Sequence, residues 1–169
     1  MGQPQTRARI LRIVVRVHVG TDRLAASDDP LFLELHAPLG REFRLAFAQG
    51  PALRRGADDR FVLAGPDDPE TNVAHPDLND PTQPALDANG VAGVVLRKGQ
   101  DPIPNVRGHG ELDDRLQLVD AEVELHVEGE PKPRRYARPG AIWLGLVCGM
   151  RVSLPLIDGP GGAHGAQGV

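Results

Sequence analysis

Aspartates are concentrated in two short segments whose oxygens suit a divalent cation. The segments "GTDRLAASDDP" and "LRRGADDRFVL" supply five candidate ligands, Asp22, Asp28, Asp29, Asp58 and Asp59. Calcium takes six or more oxygen ligands, so carboxylates from both segments would have to meet at one place. The other interpretation of the second segment is a turn that begins a strand, with Gly56 left-handed and the charged side chains in weak, solvated ion pairs. We favour the turn and keep a calcium site as the alternative.

A proline-rich stretch, residues 64–90, is the second place where polar side chains accumulate. It contains five prolines and almost no periodic apolar pattern. It lacks the glycine and glutamate spacing of an EF-hand loop, and loops this long inside compact domains tend to be functional or disordered. We predict a surface insertion that docks a protein partner or a neighbouring subunit. The candidate contact residues are Pro69, His75, Asp77, Asn79, Asp80, Asp87 and Asn89.

Catalytic patterns are missing from the sequence. It has no G-x-S-x-G elbow, no H-E-x-x-H helix and no glycine-rich phosphate loop after a strand. His109 and Glu111, with His75, are the remaining acid–base or zinc candidates, and their spacing gives no reason to expect them to converge. We therefore predict that the chain is not an enzyme.

Charge and targeting signals narrow the function classes further. The formal net charge of −4 argues against nucleic acid and against purely electrostatic docking to an anionic membrane. The N-terminal apolar run is interrupted by Arg12 and Arg16, so it does not resemble a secretory signal, and no stretch approaches a membrane span. We expect a cytoplasmic location.

The single cysteine, Cys148, excludes an intrachain disulfide, and its apolar neighbours predict a buried thiol.

Period-two alternation of apolar residues defines the fold class. Clear examples are "IVVRVHV", "LFLELH" and "LQLVDAEVELHVE", in which Val119 and every second residue after it are predicted to face inward. With no amphipathic helix, the pattern predicts an all-β protein, an antiparallel β-sandwich or barrel. We expect an N-terminal arm (1–9), a sandwich (10–157) with the insertion (64–90), and a glycine-rich tail (158–169). The segment "AIWLGLVCGMRVSLPL" is predicted to be buried, with Trp143 in the core.

The order of these pieces resembles the PLAT (lipoxygenase-homology) domain, an eight-stranded β-sandwich. The similar stretches are "RVHVGTDRLAASDDPLFLELHAPLGREFRL", with Asp28 at the family's loop aspartate, "LRRGADDRFVL", "LQLVDAEVEL" and "RRYARPGAIWL". They lie between Ile10 and Leu144. This chain departs from the pattern where Leu116 replaces a tryptophan, where Ala26 replaces a loop glycine, and in the insertion, which has no counterpart.

The resemblance implies a targeting module that brings a lipase, lipoxygenase or toxin to membranes or protein partners, sometimes with calcium. From it we form two expectations. The first is a non-catalytic binding or structural subunit that docks protein partners in a larger assembly such as a shell, a virus particle or an injection machine. The alternative is a calcium-assisted lipid- or membrane-targeting module. The membrane-targeting alternative ranks lower because the predicted loops are acidic or proline-rich and Trp143 is assigned to the core.

Overall fold

The computed structural model describes residues 7–100 and 115–160, and within these ranges it contains strands and no α-helix. The strands are β1 (Ile10–Val19), β2 (Leu31–His36), β3 (Arg41–Leu45), β4 (Asp58–Leu63), β5 (Gly93–Lys98), β6 (Leu116–Val127), β7 (Arg134–Leu144), β8 (Arg151–Leu154) and β9 (Leu156–Asp158). A single 3₁₀ turn, Ala88–Gly90, lies between β4 and β5.

The strands form two sheets, ordered β4-β1-β6-β7-β9 and β3-β2-β5-β8, and every pairing is antiparallel. The predicted antiparallel β-sandwich is confirmed. Its core consists of the inward-facing aliphatic residues of both sheets, and Phe43 and Phe61 are its largest fully buried side chains. Burying one such side chain contributes about 1.5–3 kcal/mol, so the inward-facing apolar residues favour packing of the two sheets against each other.

Three residues do not lie where the sequence predicted. Val119 is 39% exposed because the pairing of β6 with β7 shifts register between Leu118 and Asp120, which turns both Val119 and Asp120 outward. Cys148, predicted to be buried, is exposed, and Trp143, assigned to the core, is only partly buried. The predicted buried closing segment is therefore interrupted by an outward-facing hairpin, residues 145–150.

The strand directions assign the loops to two ends of the sandwich. We call one end apical, and it carries loops 20–30, 46–57 and 145–150. The pairings Val19↔Leu118, His18↔Asp58, Leu31↔Lys98 and Arg97↔Arg151 bring the strand ends that flank these loops together. We call the other end basal, and it carries loops 37–40, 64–92 and 128–133. The aspartates are therefore apical, whereas the insertion begins and ends at the basal end.

The insertion has the irregular backbone predicted for it, but it also joins the core. Val73, Leu86 and Ala88 are buried at 1–3% exposure. Its middle part runs along the open side of the sandwich between the edge strands β3 and β4. The backbone N–H of Asn72 donates to the carbonyl of Val62, its carbonyl accepts from the N–H of Ala48, and Phe47 pairs with Val73. The insertion thus covers strand edges that would otherwise present unpaired backbone groups.

Candidate docking surface at the apical end

Loop 20–30 carries three of the five predicted calcium ligands, and they have different surroundings. The Asp22 carboxylate accepts a hydrogen bond from the backbone N–H of Leu24 at 3.0 Å, which forms a local turn. Asp28 is exposed, whereas Asp29 is 8% exposed. The backbone N–H of Asp29 donates to the hydroxyl of Ser27 at 3.1 Å. The loop is therefore held by its own polar groups.

Asp29 forms an ion pair with Lys98, the last residue of β5. The Lys98 side chain is almost fully buried, and its ammonium also donates to the carbonyl of Gly99 at 3.3 Å. A backbone hydrogen bond of 2.6 Å from Gly99 to Pro30 joins the same two segments. Charges are rarely buried unless they are paired. The pair therefore ties loop 20–30 to the end of β5.

The sequence reasoning did not identify Lys98, although its alternation contained the signal. In "VVLRK" the inward-facing positions are Val94 and Leu96, and Lys98 continues that face. A charged residue at an inward position predicts a buried partner. Which carboxylate would meet it depended on the three-dimensional arrangement, because Asp29 is 69 residues away.

The segment Leu53–Leu63 is a turn that leads into β4, the interpretation favoured by its sequence. Asp59 is buried, and its carboxylate accepts a 2.6 Å hydrogen bond from the backbone N–H of Leu53, a residue with φ of 59°. Gly56 has φ of 71°, and its N–H donates to the carbonyl of Gly20 at 2.9 Å. Asp58 is exposed at the start of the strand. The aspartate inside the turn therefore stabilises the turn.

The five predicted calcium ligands share the apical end but do not form a metal-binding group. Among residues 7–100 and 115–160, no three His, Cys, Asp or Glu side chains are arranged to hold a metal ion. The carboxylate of Asp29 faces an ammonium, and those of Asp22 and Asp59 accept backbone hydrogen bonds. This donor set does not fit calcium, which needs several carboxylate and carbonyl oxygens directed at one point.

The hairpin between β7 and β8 presents apolar side chains at the apical surface. Gly145 and Gly149 close it with reciprocal backbone hydrogen bonds of 3.0 and 2.9 Å. Val147 at its apex is 88% exposed and Leu146 is 47% exposed, and Leu24 on loop 20–30 is 57% exposed. The sequence does not predict this feature, because an apolar run of this kind predicts a core segment. The two glycines, which suit a tight turn, were the available signal.

Cationic side chains accompany these apolar residues at the apical end. Exposed arginines lie on all three loops or directly after them: Arg23, Arg54, Arg55 and Arg151. The guanidinium of Arg115 lies over the ring of Trp143, 5.3 Å from its centroid. Asp22 and Asp28 on loop 20–30 and Asp58 at the start of β4 are also exposed, so the charge is mixed. In the described part of the chain, no helix has the length and apolar character needed to cross a membrane.

The residues predicted to contact a partner are divided between exposed and internal positions. Pro69, His75, Asp77 and Asn89 are exposed, whereas Asn79 and Asp80 are buried and Asp87 is half-buried. The Asn79 carboxamide accepts from the N–H of Arg44 and donates to the carbonyls of Ala74 and His75, at 2.8–3.0 Å. Docking through the exposed members stays a prediction.

The acid–base candidates His109 and Glu111 lie outside the described residues.

Arg41 holds the insertion against the sandwich. Its guanidinium donates to three insertion carbonyls, those of Asp80 (2.5 Å), Gln83 (3.0 Å) and Leu78 (2.9 Å), and it lies 4.7 Å from the centroid of the Phe43 ring. Burial lowers the pKa of Arg41, and the Asp80 charge opposes that change. One side chain thus fixes residues that are about 40 positions away in the chain.

A charged ladder covers the outer face of the sheet that contains β2. The Glu34 carboxylate contacts Arg97 at 2.8 Å, Arg151 at 3.2 Å and His36 at 3.1 Å. Burial raises the pKa of Glu34, but hydrogen bonds from His36, Arg151 and Arg97 outweigh it, so the net pKa is lowered. The carboxylate form of Glu34 is therefore part of the folded state.

The sheet order and strand pairings define an antiparallel β-sandwich with a PLAT-like fold. No family model matches the sequence, and no curated protein matches it. Solved structures do match. The alpha-toxin from Clostridium absonum matches with a TM-score of 0.57 at 11% identity, and that from Clostridium perfringens with 0.52 at 12%; both matches cover 90% of this chain and 33% of the toxin.

A coral 8R-lipoxygenase matches with a TM-score of 0.50 at 14% identity, over 86% of this chain and 17% of that protein. Its structure is described as showing calcium activation via a C2-like domain. At these identities the likeness establishes the fold alone. The chain spans a third or less of the proteins it matches, so their activities as whole proteins are not transferred to it.

Proposed function

We propose that this chain is a non-catalytic module that docks on lipid surfaces through its apical end. The observation that carries the proposal is the apolar apex of the hairpin 145–150, with Val147 88% exposed. Leu24, on a second apical loop, adds another exposed apolar side chain at the same end. Exposed apolar residues with basic neighbours are the features by which a peripheral protein enters the boundary between headgroups and acyl chains.

The gain from inserting these side chains is enough for reversible docking. Fully burying an aliphatic side chain contributes about 1.5–3 kcal/mol. At the lower end of that range, and scaled by their exposed fractions, Leu24, Leu146 and Val147 together contribute about 3 kcal/mol. That free energy corresponds to about a hundredfold change in partitioning. The mixed charge of the surrounding loops fits a surface in which apolar insertion, rather than net charge, supplies most of the affinity.

Vesicle co-sedimentation with point variants tests the proposal. We expect the wild-type chain to sediment with phosphatidylcholine vesicles or with vesicles that also contain phosphatidylserine. Val147→Asp and Leu24→Asp should each weaken this binding. The matched control is Leu78→Asp, because Leu78 is 67% exposed at the opposite, basal end. Equal loss in the control, or no sedimentation of the wild type with either vesicle, would refute apical docking.

Cys148 gives an independent readout because it is the single cysteine and is exposed beside Val147. A polarity-sensitive fluorophore attached to it should shift to shorter wavelength when vesicles are added. The unlabelled chain in the sedimentation assay controls for the effect of the label. An unchanged spectrum on vesicles that the protein does bind would place the contact elsewhere.

Docking of a protein partner by the insertion is the second candidate function. The observation that favours it is the exposure of Leu39 (70%) and Leu78 (67%) on basal loops. A subunit of an assembly that uses this end should self-associate as concentration rises in sedimentation velocity, and Leu78→Asp should abolish that association. If the chain is a monomer at all concentrations and Leu78→Asp leaves vesicle binding unchanged, the lipid-surface function is favoured. A cytoplasmic location stays a prediction under both proposals.

A further inference from the structure

We propose that Lys98 serves as a built-in cation at the apical end, so that the loops there are ordered, and dock, without calcium. The docking half of this inference rests on the function proposed above. The ordering half rests only on contacts within the chain.

The first support is the position of the ammonium group. Lys98 is 2% exposed and Asp29 is 8% exposed, so both charges are removed from water and neutralise each other. The ammonium also donates to the carbonyl of Gly99, so it is ligated by oxygens from loop 20–30 and from the end of β5. Those are two separate segments of the apical end. A divalent ion bound there would join the same two segments.

The second support is the state of the other predicted ligands. Asp59 accepts from the N–H of Leu53 at 2.6 Å, and Asp22 accepts from the N–H of Leu24 at 3.0 Å. A calcium ion would have to take these oxygens from backbone donors that hold their own turns. It would also have to approach Asp29 against the positive charge of Lys98. Both requirements make calcium a poor competitor for this position.

Calcium titration of the intact chain is the direct test. We expect the Tm and the vesicle binding to be the same in EGTA and in calcium, and isothermal titration calorimetry to show no saturable heat. A saturable calcium heat, a rise in Tm with calcium or calcium-dependent sedimentation would overturn the inference. If neither buffer supports sedimentation, the proposed docking function fails, and the Tm and calorimetry still decide the role of Lys98.

Variants of the pair test whether the ammonium orders the loops. Lys98→Met keeps the length of the side chain and removes the ammonium that faces the buried Asp29 carboxylate. Removal of one member of a buried pair lowers the Tm by about 10 °C in a domain of this size. Adding Asp29→Asn should recover part of that loss, because a neutral carboxamide does not need the ammonium opposite it. The matched control is Lys132→Met, at an exposed lysine in the basal turn between β6 and β7.

Two outcomes would show that Lys98 does not order the apical loops: an unchanged Tm in Lys98→Met, or no recovery in the double variant. If Lys98→Met does not fold, the calcium titration of the wild type still decides between a built-in cation and a metal. Recovery of an unfolded Lys98→Met chain by Asp29→Asn would then support the pairing.

Discussion

Replacing Arg41 with alanine should loosen the insertion from the sandwich without disturbing the sheets. The guanidinium makes three hydrogen bonds to the carbonyls of Leu78, Asp80 and Gln83, at 2.5–3.0 Å. A hydrogen bond from a charged donor contributes about 1.5–3 kcal/mol. The full sum does not apply, because two of the three contacts lie at the surface, where water can replace the donor. We therefore expect a loss of about 3 kcal/mol in the free energy of unfolding.

Urea denaturation measures the total loss, and amide hydrogen exchange shows where it occurs. Exchange should increase across residues 72–88 and stay unchanged in β1 and β6, the central strands of their sheet. Arg44→Ala is the matched control, because Arg44 lies on the same strand and contacts Asn79 through its backbone N–H and not its guanidinium. A loss below about 1 kcal/mol, the scale of an ordinary surface contact, would refute the idea that Arg41 holds the insertion.

Two further predictions concern the strand edge and the charged ladder. Asn72→Ala should destabilise the fold by about 1–2 kcal/mol in urea unfolding, because its carboxamide accepts from the Val62 N–H and donates to the Arg60 carbonyl, both at 2.8 Å. Asn72→Asp keeps the acceptor for Val62 but places an oxygen that cannot donate against the Arg60 carbonyl, so it should not recover the loss; wild-type stability in either variant would argue against this account. The folded-state pKa of Glu34 is lowered from its ordinary 4.5. The stability that the ionised Glu34 carboxylate contributes is therefore fully present above pH 4.5 and is lost as the pH falls through the folded-state pKa. The Tm, measured from neutral to acid pH, should decline in the range where Glu34 becomes protonated, and Glu34→Gln should make this decline less steep. An equally steep decline of the Tm in the variant would exclude Glu34 as a cause.

The strand pattern was readable from the sequence because burial of one sheet face imposes a period of two. The alternation in "IVVRVHV" and "LFLELH" predicted β1 and β2, and the turn chemistry of Leu53–Leu63 predicted the start of β4. These features depend on neighbouring residues and on a single buried face. Local sequence contains both, so the fold class followed from it.

The apical surface was decided by tertiary structure. An apolar run looks the same in sequence whether it fills the core or crosses the end of the sandwich, so the sequence predicts that "GLVCG" is buried. The backbone hydrogen bonds between Gly145 and Gly149 instead place it at the apex of a hairpin that links β7 in one sheet to β8 in the other. The buried pair of Asp29 and Lys98 joins residues 69 positions apart, and Arg41 reaches carbonyls nearly 40 positions away. Such contacts depend on which strands become neighbours, and that choice is made by packing of the whole chain rather than by any short segment of it.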